Sequence, residues 1–321
     1  MGSKRSLTSL IGIHNRPLEN DCYDDFVKWC RLEHELPLLY THWRDDVLTG
    51  DDGTRTVCFM QDPVGKGKAR RIPKDALNHP DTVNRAVRDI AYPIWRNAGL
   101  FCPGDAVPFD YGTALESLPC LLKDTGKQMG RVYFVDSEER LDWVWLEASR
   151  FNEDKFRIIP FVDTKYEDGF YRMHRYLVAG DKAIPCALSK TKSWLSKASR
   201  MSAAKKWSDE EWESFLDEWE VFWNLETVHP DIVTAVTSLD VDFALVDATH
   251  IEGEDQPIIW EINPYVNLRP SEVAGKRERT WPFMANYFFG TDIPLQNVSR
   301  DEVKKVFMGF KGFGTYWRDE K

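Results

Sequence analysis

The chain has 321 residues, of which 42% are hydrophobic and 29% charged, a globular composition long enough for about two domains. Its net charge of −10 argues against a non-specific nucleic-acid binder, and the longest apolar runs fall short of the ~20 residues of a membrane span. The six cysteines include no CxxC pair, so we expect a cytoplasmic protein in a reducing compartment. The Met1-Gly2 start fits a loose lipidation pattern and an expression tag equally well.

The first sixty residues predict a β-α-β unit. Apolar runs at Ser6–His14 and Leu36–Thr41 read as strands, and Tyr23–Glu33 between them has helical spacing of its apolar residues. Thr54–Gln61 is a further strand candidate. Strands joined by a helix usually lie parallel in one sheet. No GxGxxG follows the first strand, so the pattern does not predict a dinucleotide site.

A long helix is predicted over Asp81–Ala98. Pro93 should bend it, and Asn97-Ala98-Gly99 is a typical C-terminal stop. Its buried face is predicted to contain four apolar residues: Val87, Ile90, Ala91 and Ile94.

The next segment predicts a strand that delivers Lys123 to a loop containing Gly126 and Gly130, followed by a returning strand, Arg131–Val135. An ammonium group beside a flexible glycine loop can clamp phosphate oxygens. The alternative is a plain hairpin with a surface lysine.

A strand at Phe156–Asp163 is followed by a long hairpin that begins at Phe170 and carries Arg175, which either faces a cleft or is an exposed sheet arginine. The segment Lys182–Trp207 contains seven basic residues and no acidic one, so it is either a lid over phosphates or a solvated loop. A capping box at Ser208 then begins a helix with an aromatic stripe, a pattern more typical of a core than of a site.

The stretch from residue 239 to residue 269 predicts a hairpin with oxygen ligands on one face. Its strands would be Asp242–Asp247 and Pro257–Asn263, with a loop at Ala248–Asp255 between them. If the loop is symmetric, Asp242 lies directly across from Glu261, and Asn263 shares the face of Glu261. Two carboxylates and an amide oxygen suit a hard cation such as Mg²⁺. The alternative is a hairpin with ordinary polar residues on its solvated face.

Together these segments resemble the ATP-grasp superfamily of ATP-dependent ligases, from about Val83 to Arg269. The matching motifs follow the family's order: the helix end Asn97–Pro103, the phosphate strand Pro119–Lys123 with its glycine loop, the hinge strand Ile158–Asp163, the Arg175–Lys182 element, and Asp242 with Glu261–Pro264.

The resemblance implies an α/β (α+β) ATP-grasp fold. A small N-terminal βαβ domain would span residues 1–80, a small subdomain with the phosphate-binding loop 81–155, and a C-terminal subdomain with the metal site 156–321. It also implies ATP and Mg²⁺ as cofactors, with two ions expected and Mn²⁺ as an alternative.

The resemblance further assigns roles to individual residues. Asp242, Glu261 and Asn263 would hold Mg²⁺, and Arg175 would stabilise the transferring phosphoryl group. The family often has a lysine in the early helix, where this chain has Arg88. The remaining implied contacts are Lys123, Gly126 and Gly130 with phosphate, the backbone of Ile159, Pro160, Phe161 and Val162 with adenine, Glu167 or Asp163 with ribose, and Asn267 and Arg269 with the acceptor substrate.

The function implied is a carboxylate–amine ligase that works through an acyl phosphate. A kinase on the same fold and a non-catalytic nucleotide-binding module are the alternatives. Arg172, Arg269 and the basic segment favour an anionic substrate such as an amino acid or peptide carboxylate. No nucleic-acid or membrane partner is expected, and a homodimer is left open.

Overall fold

The computed structural model describes residues 10–14, 23–42, 54–60, 72–104, 106–124, 132–149, 156–194, 207–268 and 276–304. These residues form three β-sheets. Gly126, Gly130, Arg131, Arg269 and the second half of the basic segment lie outside the described residues. No helix within the described ranges is long and apolar enough to cross a membrane.

The first sheet is parallel, as the β-α-β pattern predicts. β1 (Leu10–His14) lies between β2 (Leu38–His42) and β3 (Arg55–Phe59), and α1 (Asp24–Leu32) connects β1 to β2. Every residue of β1 is buried, which suits an apolar central strand with neighbours on both sides. Gly12 is required there because an added Cβ would lie 2.7 Å from the Phe59 ring.

The second sheet is antiparallel, in the order β4 (Val107–Pro108), β7 (Phe156–Pro160), β5 (Cys120–Asp124) and β6 (Val132–Val135). Cys120 and Leu122 are fully buried against α4 (Tyr111–Glu116) and α5 (Glu138–Ser149). Because strand residues alternate in direction, Leu121 and Lys123 lie on the opposite face. The division at residues 80 and 155 stays a prediction, but β7, placed in the third predicted domain, pairs with β5 of the second sheet.

The third sheet is also antiparallel, in the order β11 (Ile258–Asn263), β10 (Phe243–Thr249), β8 (Tyr171–Ala179) and β9 (Lys182–Thr191). Two helices, α6 (Asp209–Trp223) and α7 (Pro230–Thr237), pack in the same core as this sheet. The capping box predicted at Ser208 is present. The aromatic stripe of α6 is buried core, with the rings of Trp219 and Trp223 stacked at 4.6 Å.

The long helix predicted over residues 81–98 is wrong in its first half. The chain forms α2 (Pro80–Val83), a 3₁₀ turn, and then α3 (Arg88–Asn97), because Val87 is extended and interrupts the helix. This break puts Arg88 at the first position of α3. The predicted apolar face is also wrong in part: Val87 and Ile90 are exposed, whereas Tyr92 and Trp95 are buried. The Tyr92 hydroxyl donates a hydrogen bond to the Trp260 carbonyl of β11, and Trp95 Nε1 donates one to the Ala235 carbonyl of α7.

The C-terminal part of the chain returns to the first sheet. A π-helical turn (Lys276–Thr280) leads into α8 (Trp281–Phe289). Phe288 of α8 contacts the Phe59 ring of β3 and the Phe243 ring of β10, both at 5.4 Å between centroids. This cluster joins the first and third sheets through one aromatic core.

A partly buried ion cluster joins β8, β9 and α6. Arg172 donates hydrogen bonds to Asp168 and Glu218, and Lys190, only 2% exposed, lies 3.1 Å and 2.6 Å from the same two carboxylates. Arg172 is therefore committed to this cluster, which disfavours the predicted role in attracting an anionic substrate. The cluster fixes the chain between the second and third sheets.

The cluster predicts acid sensitivity. The Arg172 guanidinium holds the pKa of Asp168 well below its usual range. A lowered carboxyl pKa stabilises the fold at neutral pH, and this contribution disappears as the pH falls below the ordinary carboxyl range. We expect Asp168→Asn to destabilise the protein most at pH 7 and progressively less towards pH 3, as measured by urea unfolding. A constant difference, equal to that of the exposed Asp136→Asn, would contradict this account.

Candidate active site

The β10–β11 hairpin has a different register from the predicted one. Asp247, and not Asp242, lies across from Glu261, and Asn263 pairs with Leu245. β10 continues to Thr249 because residues predicted as loop are buried in the sheet, and the Thr249 hydroxyl bonds to Trp260 Nε1 and to the Arg172 carbonyl. A β-bulge after Asp247 completes the shift.

Asp242 is therefore placed away from the other predicted metal ligands. It precedes β10, five residues before Asp247, and an extended chain of that length spans about 16 Å. Its carboxylate accepts a hydrogen bond from the Asn78 backbone N–H at 2.6 Å, and Asn78 Oδ1 accepts from the Asp242 N–H at 3.0 Å. Burial raises the pKa of Asp242 in spite of these bonds. Asp242 thus anchors the chain before α2 to the start of β10.

Asp247 is the residue that the sequence reasoning missed. Its side chain is 8% exposed and receives a two-point ion pair from Arg175, with Nε–Oδ1 at 2.6 Å and Nη2–Oδ2 at 2.8 Å. Burial alone would lower the pKa of the Arg175 guanidinium. The neighbouring Asp247 carboxylate outweighs this effect, so the pKa is raised. The sequence does contain a signal for a role of Asp247. Its carboxylate ends a run of apolar strand residues, where an unpaired charge would be costly.

Glu261 is approached by cations from two other elements. Arg88, at the start of α3, forms an ion pair with its carboxylate, and Lys123 Nζ from β5 lies 3.6 Å from Oε2. Both cations are largely buried, with side-chain exposures of 17% and 16%. The structure therefore brings together four predicted residues, Arg88, Lys123, Arg175 and Glu261, around the cleft between the second and third sheets.

The hinge segment crosses from the second sheet to the third directly after β7. Ile159 is buried, Pro160 is exposed, and Phe161 and Val162 are half-buried. Asp163 and Glu167, the two candidates for ribose, are both exposed. Asp163 accepts a hydrogen bond from the Lys165 N–H at 3.1 Å, which shapes the turn into β8.

No protein-family model matches the chain, and no curated protein matches its sequence. Solved structures do match its fold. N5-carboxyaminoimidazole ribonucleotide synthetase from Thermotoga maritima has a TM-score of 0.53 and 10% identity, over 91% of this chain and 78% of that one. A RiPP-associated ATP-grasp ligase from Chryseobacterium gregarium, in complex with ADP and a leader and core peptide, has a TM-score of 0.50 and 14% identity, over 81% and 90%.

The chain has the ATP-grasp fold. The fold predicted from the sequence motifs is thus confirmed. At such low identity the likeness concerns the fold, so the roles of individual residues depend on their geometry in this chain.

The ATP-grasp cleft offers a set of oxygen donors that fits Mg²⁺. Residues directly opposite in an antiparallel pair share a face, so Asp247 and Glu261 point the same way, and Asn263 follows Glu261 on that face. Asn263 Oδ1 accepts a hydrogen bond from the Tyr265 N–H at 2.9 Å, which fixes the orientation of the amide. Within the described ranges no three His, Cys, Asp or Glu side chains converge as a metal cage. A Mg²⁺ ion bound by two carboxylates commonly takes its other ligands from phosphates and water.

Of the two residues predicted to contact the acceptor substrate, one lies within the described residues. Asn267 is exposed in the turn after β11, and Arg269 lies outside the described residues. The position of Asn267, close behind the Glu261–Asn263 strand end, is compatible with the predicted role, which stays a prediction.

Proposed function

We propose that this protein is an ATP-dependent ligase that joins a carboxylate to an amine through an acyl phosphate. The observation that carries the proposal is the convergence of Arg88, Lys123 and Arg175 on the neighbouring carboxylates Asp247 and Glu261. These five side chains come from four strands of two sheets and from one helix. Such a cluster in an ATP-grasp cleft supplies both the cations for a polyphosphate and the carboxylates for its counter-ion.

The proposed reaction has two steps. A substrate carboxylate oxygen forms a bond to the γ-phosphorus of ATP, the bond from that phosphorus to the β–γ bridging oxygen breaks, and ADP leaves. The amine then attacks the acyl carbonyl, inorganic phosphate leaves, and the amine loses a proton to solvent. Lys123, Arg88 and Arg175 would neutralise the charge on the phosphoryl group in transfer, which is the largest contribution that side chains can make to such a reaction.

The residues proposed to hold Mg²⁺ are Asp247, Glu261 and Asn263. This set replaces Asp242 with Asp247 and keeps the two other predicted ligands. When bound there, Mg²⁺ would act as a Lewis acid that withdraws charge from the ATP phosphates. The carboxylates have partners that can reorganise, because the Arg175 and Arg88 guanidinium groups can transfer their hydrogen bonds to phosphate oxygens.

We further propose that the carboxylate substrate is carried by a peptide or an amino acid. The support is the likeness to the RiPP-associated ligase, whose structure contains a leader and core peptide. Peptides with Asp or Glu side chains are therefore the first class of substrate to test.

The test is a phosphate-release screen with Mg²⁺, ATP and pairs of carboxylates and amines, including acidic peptides, followed by mass spectrometry of the products. A ligase requires both co-substrates and gives ADP, phosphate and a condensed product lighter by one water. A kinase would keep the phosphate on its product. Full turnover of the true substrates by Glu261→Ala would show that this site does not carry the reaction.

A further inference from the structure

One arginine in the C-terminal part of the chain is buried without a partner. Arg279 belongs to the π-helical turn that leads into α8, and it is 6% exposed. Its Nε atom is buried without a hydrogen bond, and its guanidinium forms no ion pair with any of the described residues. The next residue, Thr280, is 4% exposed, and its hydroxyl has no hydrogen-bond partner among the described residues either. Two adjacent polar side chains are therefore enclosed without the contacts that burial normally requires.

The missing partner distinguishes Arg279 from other arginines with little exposure. Arg88, Arg172 and Arg175 each form an ion pair with a carboxylate. Asp247 raises the pKa of Arg175, whereas burial lowers the pKa of Arg279 and no charge among the described residues opposes this change. A buried guanidinium without a counter-ion is costly to the fold. Such a group is therefore a candidate for binding an anionic ligand.

The turn that contains Arg279 lies on the same side of the third sheet as the proposed active site. On β8, Leu177 follows Arg175 by two residues, so both side chains share a face and are about 6.6 Å apart. Leu177 is buried in the same core cluster as Trp281 of α8. The α8 helix thus covers this face where it continues past Arg175. The π-helical turn, directly before Trp281, packs against the neighbouring strand β9.

The same turn is next to the chain that leaves the β10–β11 hairpin. Trp281 Nε1 donates a hydrogen bond to the Leu268 carbonyl at 2.8 Å, and Leu268 follows Asn263 by five residues. Val266 and Leu268 are both buried in the core cluster that contains Trp281. The segment predicted to contact the acceptor substrate, which includes Asn267, is thus held against the start of α8. The π-helical turn therefore adjoins that segment.

The chemistry of this turn suits a carboxylate. A guanidinium offers parallel N–H groups that match the two carboxylate oxygens, and its single positive charge is balanced by one carboxylate. A phosphate monoester carries close to two negative charges at neutral pH and would need a further cation. Arg277 of the same turn is paired with Glu33 at the surface. Turns of π-helix also occur frequently at functional sites.

We propose that Arg279, with the Thr280 hydroxyl, binds a substrate carboxylate other than the one that is phosphorylated. The inference rests on the proposed function and narrows it, because one of the two co-substrates carries an anionic group that serves only as an anchor. Arg279 then has the role that the sequence suggested for Arg172, whose guanidinium is committed to the ion cluster. It determines specificity and does not act on the transferring phosphoryl group.

The first test measures binding without turnover. Melting temperatures are compared in sodium succinate, sodium phosphate and sodium chloride at equal ionic strength. Relative to chloride, succinate should raise the melting temperature of the wild-type protein by about 2 °C or more beyond the rise seen in Arg279→Met and in Arg279→Gln. Arg277→Met, at a half-exposed site of the same turn, should respond like the wild-type protein. In chloride, Arg279→Met should be at least as stable as the wild-type protein, because it removes an unpaired buried charge.

The second test uses the substrates identified by phosphate release. Each is compared with an analogue in which the non-reacting carboxylate is replaced by an amide. Arg279→Met should raise KM for the carboxylate-bearing substrate by about 10- to 150-fold, the effect of losing a hydrogen bond between charged groups. Its kcat and its KM for ATP should stay close to the wild-type values. The KM for the amide analogue should already be high in the wild-type protein and change little in the variant.

Three results would overturn the inference. One is an equal response to succinate in the wild-type protein and in both Arg279 variants. Another is a response to phosphate that depends on Arg279 more than the response to succinate does. The third is an equal rise of KM for the substrate and its amide analogue, which would mean that Arg279 only supports the fold. The absence of phosphate release with every substrate pair would instead contradict the proposed function.

Discussion

Replacement of Asp247 by Asn should lower Mg²⁺-dependent ATP turnover by about 10²- to 10³-fold or more. The change removes a charge that faces Glu261 in the cleft and breaks the two-point pair with Arg175, at a cost comparable to the loss of a preorganised group in an active site. Steady-state phosphate release with the substrates found in the screen measures this effect. The Mg²⁺ concentration needed for half-maximal rate should rise as well, since a proposed ligand is lost.

Asp242→Asn is the matched control, because it makes the same chemical change on the same hairpin. Its carboxylate holds the Asn78 N–H outside the cleft, so the variant should keep most of its turnover. Its unfolding free energy should change by less than about 1 kcal/mol, because the burial that raises the pKa of Asp242 offsets the weakening of a charge-assisted hydrogen bond. If Asp242→Asn were inactive and Asp247→Asn active, the result would favour the ligand set predicted from sequence. It would contradict the assignment of Asp247 from the strand register.

Replacement of Arg175 by Met should lower kcat by about 10²- to 10³-fold with a smaller effect on KM. Arg175 carries a charge that matters most when negative charge develops on the phosphoryl group in transfer. Arg175→Lys should remain at least about 10-fold slower than wild type, because an ammonium cannot reproduce the two-point geometry of the guanidinium. Saturation kinetics of both variants separate kcat from KM.

Arg85→Met provides the control for this prediction. Arg85 is also paired with a carboxylate, Asp240, but at an exposed surface site in the turn before α3. Its replacement should leave kcat unchanged. A raised KM with unchanged kcat in Arg175→Met would mean that the residue only binds substrate and does not act on the transferring group.

Much of the site was predictable because strand ends and helix starts are visible in the sequence. Lys123 precedes a glycine loop, Glu261 and Asn263 close an apolar strand, and Arg175 precedes an apolar strand half, so each could be placed at the end or edge of a sheet. The order of these motifs along the chain supplied the ATP-grasp fold, which the comparisons with solved structures confirm. Their convergence on one cleft followed from that fold.

The exchange of Asp242 for Asp247 shows why register was harder to predict. Both carboxylates flank the same apolar strand, and the choice depends on where β10 ends. That end is determined by tertiary contacts: the burial of Ala248, the hydroxyl bonds of Thr249 and a bulge, which a symmetric-loop assumption ignores. The broken helix before Arg88 has the same origin, since the buried face of α3 is determined by the hydrogen bonds of Tyr92 to β11 and of Trp95 to α7.

The contact of three aromatic rings between the second and third sheets was beyond sequence reasoning for a different reason. Phe134, Phe161 and Trp194 come from three separate segments, and no spacing rule relates them. Only the pairing of β6 with β5 and the crossing of the chain after β7 put the rings together. A contact between rings of two sheets is therefore visible in the structure and not in the pattern of any one element.

The central claim, that Asp247 and Glu261 with three cations form a site for ATP with its metal ion, is tested most directly by calorimetric titration of ATP with and without Mg²⁺. The account predicts binding that Mg²⁺ strengthens in the wild-type protein, a strengthening that is lost in both Asp247→Asn and Glu261→Gln and kept in Asp242→Asn. Equal ATP binding with and without Mg²⁺ in the wild-type protein, or full Mg²⁺ dependence in Glu261→Gln, would contradict it.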